Sequence, residues 1–599
     1  MRTALLIGAA GAAWLLPYGL DSYAVHVADI VLIFCLLAVG LGLAMGIGGQ
    51  VNLAQIAFFG VGAYVTAILT TRAGLGFWLA AGIAVLASAA IGLLVSTPAL
   101  RVQSHYLGIV TLGLALAFTN WVTNAEIAGG AEGIPGIPAP TFPGADLSNE
   151  YLYYYLELIV FGLGLAFGLF VVRTSLGRRL RAMRDDALAA GALGADVPVL
   201  RMTAFLLAGV YGGVAGILYA GLIRYVAPES FGIATMFLLL AMVIIGGRQS
   251  LLGCVTGAIV LSLLRELLID YPTYAQIAYG TVVVLTVVFA PTGLAGLPRR
   301  WSRFVPFFRF LFPYAPPITP STQEAAPPPA DLSPGPVLLE IAGVGKDFRG
   351  LRALDDVSLT VAAGEIRGVV GPNGSGKTTL FNVISGFYRP TTGRVRLAER
   401  DVTGLAPYRL SRLGTARTFQ NLRLFGDLTV RENLLVALDR TRTLSAWRYL
   451  LAPIGVLRRD RVLHRRAAEL LAAYDLAPLA DQLPRSLPYG TQRRVEIARA
   501  MATAPRLLLL DEPAAGLNGE EVHRLAATVR AIRDSGVTVV IIEHNMSLVM
   551  SLCDRITVLA GGRVIAEGTP AEVALAPPVI EAYLGDSMTG DDLPTEVPR

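Results

Sequence analysis

Gly371-Pro372-Asn373-Gly374-Ser375-Gly376-Lys377-Thr378 is the stretch on which the reading of this 599-residue chain turns. It has the form G-x-x-x-x-G-K-[ST]. In that form, glycines let successive backbone N–H groups turn inward around phosphates, and lysine adds a compact charge near the β/γ oxygens. The threonine hydroxyl is then placed to ligate Mg²⁺. The motif requires a strand before it and a helix after it, and the apolar run Glu365–Val370 supplies the strand. Lysine is rare here, which sharpens the signal. Lys346 and Lys377 are the only two in the chain, and all 16 basic residues of the first 312 are arginine. Gly371 to Thr378, with Thr379 beside them, are expected to bind a nucleoside triphosphate. Lys346 has no motif around it and reads as a surface residue.

The composition divides the chain. Residues 1–312 are dominated by Leu, Ala, Gly, Val and Ile, with apolar runs near 4–19, 25–46, 52–71, 76–97, 104–122, 152–172, 200–222, 232–247, 251–269 and 274–293. Runs of about 20 apolar residues match the span of a bilayer. This predicts an all-α polytopic membrane domain of about 8–10 helices, with 232–247 short enough to be re-entrant or fused with a neighbour. Leu5 to Leu20 could be a signal peptide. Pro17, Tyr18 and Asp21 follow without a small-residue cleavage site, so an anchor is expected. Arg173, Arg178, Arg179, Arg181 and Arg184 form the densest basic loop, which the positive-inside rule assigns to the cytoplasm. Six spans before it put the N-terminus inside and residues 123–151 outside. Four after it return the chain inside at Arg299, Arg300 and Arg303. Tyr151, Tyr153, Tyr154 and Tyr155 suit an interfacial belt or packing between helices. The net charge of +5 says little for such a protein, and Cys35, Cys254 and Cys553 are too few and scattered for a disulfide framework or metal site.

Residues 313–336 contain nine prolines and read as an extended linker. From 337 to 585 the pattern becomes α/β, with strand-like Leu507–Leu510 and Val537–Ile542 and the amphipathic stretch Val522–Asp534. A tail at 586–599 is expected to be disordered. Leu507-Leu508-Leu509-Leu510-Asp511-Glu512-Pro513 runs a buried strand into two carboxylates. The first suits a metal, directly or through water, and the second suits activation of an attacking water.

With these residues in order, 338–585 resembles the ATPase domain of ABC transporters. The resemblance implies a Q-loop glutamine at Gln420, within Arg417-Thr418-Phe419-Gln420-Asn421, and a switch histidine at His544. It implies an adenine-stacking aromatic at Phe348 and a signature at Leu487-Pro488-Tyr489-Gly490-Thr491-Gln492. The implied catalytic set is Glu512, His544 and Gln420. Mg²⁺ falls to Thr378, Gln420 and Asp511, and a partner's nucleotide falls to Tyr489, Gly490, Thr491 and Gln492. Two positions depart from the pattern: Pro488 stands where serine is usual, and Asn518 where the D-loop commonly has aspartate.

The membrane half resembles the permeases of branched-chain amino-acid ABC importers over most of 25–295. The resemblance lies in Gly46-Ile47-Gly48-Gly49-Gln50-Val51-Asn52-Leu53, Phe58-Phe59-Gly60-Val61-Gly62-Ala63-Tyr64 and Tyr106-Leu107-Gly108. It continues in Ser175-Leu176-Gly177-Arg178-Arg179-Leu180 and Arg184-Asp185-Asp186, which look like the coupling loop, near 175–195. Gln50, Asn52 and Gln55 are candidates to line the route or to act as hydrogen-bonding glue. The Arg-rich stretch 440–466 resembles the same importers' ATPase, or is a solvated helical face.

Together these imply a fused permease and ATPase subunit of an importer in a prokaryotic plasma (inner) membrane, using ATP and Mg²⁺. The implied partners are a second permease, a second ATPase, an extracytoplasmic solute-binding protein and membrane lipid, with no nucleic acid. The alternatives are an export half-transporter, an importer for small amides or urea, and an ATP-gated channel or regulator.

Overall fold

The computed structural model describes residues 8, 11–99, 104–142, 145–290, 293–294, 335–439, 449 and 452–584. The expected linker, apart from residues 335–336, and the expected tail lie outside them. The chain separates into two compact units. The first comprises Met1–Arg184, Val197–Pro316 and Thr443–Val456, and the second Asp185–Asp196, Pro317–Arg442 and Leu457–Arg599.

The first unit is helical. Its elements are α1 (Ser22–Leu41), α2 (Gln55–Thr71), α3 (Phe77–Ala99), α4 (Ser104–Asn124), α5 (Glu150–Arg173), α6 (Ser175–Asp185), α8 (Val197–Ile223), α9 (Ile233–Gly246), α10 (Leu251–Leu267) and α11 (Pro272–Phe289). The helix α7 (Ala187–Ala192) belongs to the second unit. Among the described residues, five helices are long and apolar enough to cross a membrane: Ser22–Ile47, Phe77–Pro98, Tyr106–Asn124, Glu150–Arg173 and Val197–Ile223. The stretch near 232–247 forms a helix of its own, α9, rather than fusing with its neighbour.

After α1 the backbone widens into a π turn at Gly42–Ile47 and then leaves helical geometry before α2. Irregular backbone at membrane depth requires every polar group to find a partner. Gln50 N–H donates to Ala44 O (3.0 Å), Arg184 donates to Gly46 O (2.7 Å), and Gln50 Nε2 donates to Gly48 O (3.0 Å). Asn52 accepts from Ala54 N–H (3.0 Å) and donates to Gln55 (3.1 Å), which donates in turn to Ala208 O (3.1 Å). All three amides are buried and satisfied, so they act as glue across the break.

Two further expectations change. Arg178 and Arg179 are not in an open loop but buried on α6. Tyr153 and Tyr154 are also buried, their hydroxyls donating to Leu218 O and Ala13 O at 2.8 Å, so those two pack between helices rather than forming a belt.

The second unit is α/β. A six-stranded sheet has the order β6-β7-β8-β3-β9-β10: Thr415–Arg417, Leu507–Asp511, Thr538–Ile542, Ile366–Val370, Arg555–Ala560 and Arg563–Gly568. Its first five strands are parallel and the last is antiparallel. Every residue of β3, β7 and β8 is buried, as strands covered on both faces must be. A second sheet, β2-β1-β4-β5, comprises Leu351–Ala362, Val337–Phe348, Thr392–Leu397 and Arg400–Asp401. Helices α12 (Lys377–Ile384), α13 (Pro407–Arg412), α14 (Val430–Leu438), α15 (Pro453–Ala473), α16 (Tyr489–Ala502), α17 (Gly519–Asp534) and α18 (Met546–Leu552) surround the strands. Of the Arg-rich stretch 440–466, residues 440–448 and 450–451 lie outside the described ones. The rest enters α15, which buries Leu463, Ala467 and Leu471 and turns Arg458, Arg461, Arg465 and Arg466 outward, while Arg459 pairs with buried Asp439 (2.6 Å).

Close approach of α2 and α8 rests on glycine. A Cβ on Gly216 would lie 2.1 Å from Phe59 O and 2.7 Å from Ala63 N, both backbone atoms that cannot yield. Gly82, by contrast, has nothing within 4 Å. Gly216→Val is therefore expected to lower full-chain stability by about 1–3 kcal/mol or more, as overpacking does, whereas Gly82→Ala leaves it unchanged or slightly raised. Thermal unfolding of the two variants in lipid nanodiscs checks this, and equal midpoints would contradict it.

Candidate functional site

The strand β3 ends at Val370, and the chain turns through Gly371–Gly376 into α12. Gly376 has φ 100°, a conformation open to glycine, and a Cβ there would sit 2.6 Å from Ala353 O. Lys377 is the first residue of α12, and Lys377, Thr378 and Thr379 present backbone N–H groups that have no partner within the helix. The Lys377 ammonium folds back onto the loop, donating to Gly371 O (2.8 Å) and Pro372 O (2.9 Å). Burial pulls its pKa down, while Glu512 and Asp511 push it up.

The strand β7 delivers the two carboxylates. Asp511 closes the strand, paired in parallel register with Ile542 of β8. The backbone then bends sharply: Glu512 adopts φ 45°, a left-handed conformation that costs a non-glycine residue about 1–3 kcal/mol. The Glu512 N–H donates to Ile542 O (2.9 Å), which anchors the bend. Its carboxylate then receives Gln420 Nε2 on one oxygen (2.8 Å) and faces His544 Nε2 with the other (2.9 Å). Three residues read separately from sequence thus meet on one carboxylate.

Asp511 is buried and ion-paired with Arg417 (2.8 Å), whose guanidinium also donates to Asn382 and Ser385 (2.7 Å each). Arg417 lies over the rings of Phe381, Phe387 and Phe419. Burial raises the Asp511 pKa against the opposing pull of Arg417, and burial lowers that of Arg417. The other Asp511 oxygen, Oδ1, is buried with no hydrogen-bond partner. An orphaned carboxylate oxygen, a hydroxyl at Thr378 and an amide oxygen left free on Gln420 make a hard oxygen donor set that fits Mg²⁺.

Sequence reasoning missed the residues that hold this arrangement. Arg493, fully buried on α16, donates to Phe419 O (3.0 Å) and Gln420 O (3.2 Å), reaches Glu512 O (3.4 Å), and pairs with buried Glu496 (2.6 Å). Glu543 accepts from Ala514 N–H (2.6 Å) and from His544 N–H (3.1 Å), joining the segments that follow β7 and β8; burial raises its pKa. An Arg-Arg pair directly after the signature and a Glu before the histidine were the available signals. Arg499 is also buried, which lowers its pKa to about 10, and it donates to Arg423 O (2.8 Å). Arg423 pairs with Asp186 (2.7 Å), and Asp427 N–H donates to Asp185 (3.0 Å), so this unit ties residues 185–186 to the segment after Gln420.

The remaining expected residues lie elsewhere. Phe348 ends β1, half-exposed, with the Tyr388 ring at 5.2 Å. Lys346, read as a plain surface residue, sits over Phe348 (5.0 Å) and donates to Arg389 O (2.9 Å), so it belongs to this aromatic patch. Tyr489, Gly490, Thr491 and Gln492 open α16, whose N-cap is Pro488. Gln492 donates to Leu487 O (2.8 Å), and among the described residues no hydrogen bond joins these four to Gly371–Thr379. Asn518 caps α17, accepting from Glu521 N–H (2.9 Å) in a capping box, a task its amide performs as well as aspartate would.

A phosphate loop, a strand-end carboxylate pair and a helix-opening signature in one α/β unit define an ATP-hydrolysing transporter cassette, here joined to a membrane-helical region. Residues 23–306 match the family model of the branched-chain amino acid transport system permease component, and residues 354–515 that of the ABC transporter. The high-affinity branched-chain amino acid transport ATP-binding protein BraF of Pseudomonas aeruginosa is 44% identical over 251 residues, covering 42% of this chain and 98% of that protein. LivG of Escherichia coli, of the same description, is 42% identical over the same length and shares. A solved nucleotide-free ATP-binding cassette from an ABC transporter is 32% identical, covering 42% of this chain and 100% of its own, with TM-score 0.36. The chain belongs to the branched-chain amino acid ABC transporter family, with permease and ATP-binding components in one polypeptide.

Arg493→Met leaves Glu496 buried without its cation and is expected to cost about 3–5 kcal/mol. Arg493→Met combined with Glu496→Leu should recover most of that stability but not ATPase activity, since the Gln420 and Glu512 carbonyls lose their donor. Denaturant unfolding and phosphate release measured on the same full-chain preparations check both halves.

Proposed function

We propose that this chain is the fused permease and ATPase subunit of an importer for branched-chain or related amino acids in a prokaryotic plasma membrane. Its ATPase unit would face the cytoplasm. The observation that supports it most is the meeting of Gln420 and His544 on Glu512, at 2.8 and 2.9 Å, in a chain whose residues 23–306 match a branched-chain amino acid permease. In this reading Lys377 and the 371–379 loop hold the phosphates and Phe348 stacks on adenine. Gln420 orients the attacking water, Glu512 takes its proton, and His544 steadies the charge developing on the γ-phosphate. Thr378, Gln420 and Asp511 hold Mg²⁺, which neutralises phosphate charge when bound.

Among the described residues no hydrogen bond joins the four signature residues to the chain's own phosphate loop, which supports a role toward a partner's nucleotide. Two ATPase domains would close head-to-tail around two ATP molecules, and residues 185–196 would carry that motion to the permease. The assembly would add a second permease, a second ATPase and a solute-binding protein.

Glu512→Gln keeps the shape of the side chain but removes the base. ATPase turnover of the assembled transporter should fall by about 10²–10⁴, while ATP binding is retained. Turnover unchanged in that variant would remove Glu512 from the proposed role.

A further inference from the structure

Two carboxylic side chains inside the helical unit take no part in the ATPase chemistry described above. Asp29 on α1 and Glu157 on α5 have no exposed surface at all. Each sits seven residues into its helix, and a bond between Ser22 and Glu150 pins the two helix starts together. The two acids therefore stand at one depth, about 10 Å from the helix ends at 1.5 Å per residue, within electrostatic reach of each other.

None of their four oxygens has a hydrogen-bond partner among the described residues. The neighbours that could have supplied one are committed elsewhere. Tyr153 donates its hydroxyl proton to Leu218 O and Tyr154 to Ala13 O, each at 2.8 Å. Arg224, at the end of α8, donates to Ser148 O (3.2 Å). On α10, Arg265 lies over the Phe34 ring and Glu266 bonds Tyr23. His26, one turn before Asp29 on α1, bonds neither acid, and Glu150 adds only negative charge.

Two buried carboxylates within electrostatic reach of each other, with no protein donor or cation bonded to either, repel, an arrangement a membrane interior does not tolerate. The occupant must fit where no solvent reaches. Among the described residues no group of three or more His, Cys, Asp or Glu could hold a metal ion. A proton fits: shared between the acids, it removes one charge and supplies the missing hydrogen bond.

We propose that Asp29 and Glu157 form a proton-binding site across the α1–α5 contact, occupied at neutral pH and exchanging with solvent only when the two helices part. The proton comes from water and returns to it, and no other species is consumed. Loss of the proton in alkaline medium leaves two buried like charges within electrostatic reach, so the site doubles as a latch whose hold weakens as pH rises.

Infrared spectroscopy of the full chain in lipid nanodiscs tests this. The spectrum of the wild type minus that of Asp29→Asn/Glu157→Gln, at neutral pH in sodium-containing buffer, is expected to show a protonated-carboxyl C=O band that vanishes in alkaline buffer. A difference spectrum with carboxylate bands only would overturn the proposal. So would a protonated band that appears only when sodium is withheld, since the occupant would then be a metal cation. Should the double variant fail to assemble, wild-type chain isotope-labelled at Asp carboxyls alone, and then at Glu alone, carries the same test. Absence of a protonated band that titrates together in both samples overturns it.

Discussion

The turn at Glu512 is the constraint around which the ATPase unit is arranged. A non-glycine residue in a left-handed conformation persists only where its surroundings outweigh the strain, and each surrounding contact is visible. The parallel register of β7 against β8 places Ile542 O to accept the Glu512 N–H, and Arg493 from α16 reaches the Glu512 carbonyl. With the backbone held at both ends, the carboxylate points to where Gln420 and His544 arrive from two other strand ends. Arg493 also holds the carbonyls of Phe419 and Gln420, so one guanidinium fixes both the acid and the glutamine beside it. Its burial beside Glu496 is costly, and the return is a pre-organised site rather than a stable core.

The membrane half solves the opposite problem, that of breaking a helix inside lipid. Between Gly42 and Gln55 the chain leaves regular geometry, Arg184 with Gln50 and Asn52 bonds backbone groups of the break, and Gln55 ties Asn52 to α8. Glycines at the contacts let helices approach until backbone touches backbone, the packing that works where the hydrophobic effect between helices is absent. Asp29 and Glu157 stand apart in this unit as buried carboxyl groups with all four oxygens unpartnered among the described residues.

Much of this was legible in the sequence because the decisive signals are local. Glu365–Thr378 and Leu507–Glu512 each state their strand, turn and chemistry in one short run, and nine of the ten apolar runs announce α1–α5 and α8–α11, while the first, near 4–19, lies partly outside the described residues. What stayed hidden depends on long-range contact. Arg493 and Glu543 are ordinary charged residues until α16 and β8 bring them to the Glu512 turn. Lys346 looked bland because the aromatic patch it covers is built from Phe348 and from Tyr388, 40 residues further on. Arg178 and Arg179 read as part of a basic loop because charge pattern alone cannot show that they lie buried on α6. Gln50, Asn52 and Gln55 left two readings open, and the partner that decided them, Ala208 O, comes from a helix 153 residues away from Gln55.

The central claim is that ATP hydrolysis at Glu512 drives solute uphill through the attached permease. Its most direct test is accumulation of labelled leucine, isoleucine or valine in proteoliposomes bearing the complete complex purified from native membranes, with ATP on the cassette side. The account predicts an interior concentration above the exterior one, lost in the Glu512→Gln complex. Equilibration without accumulation, unchanged by that substitution, would contradict it.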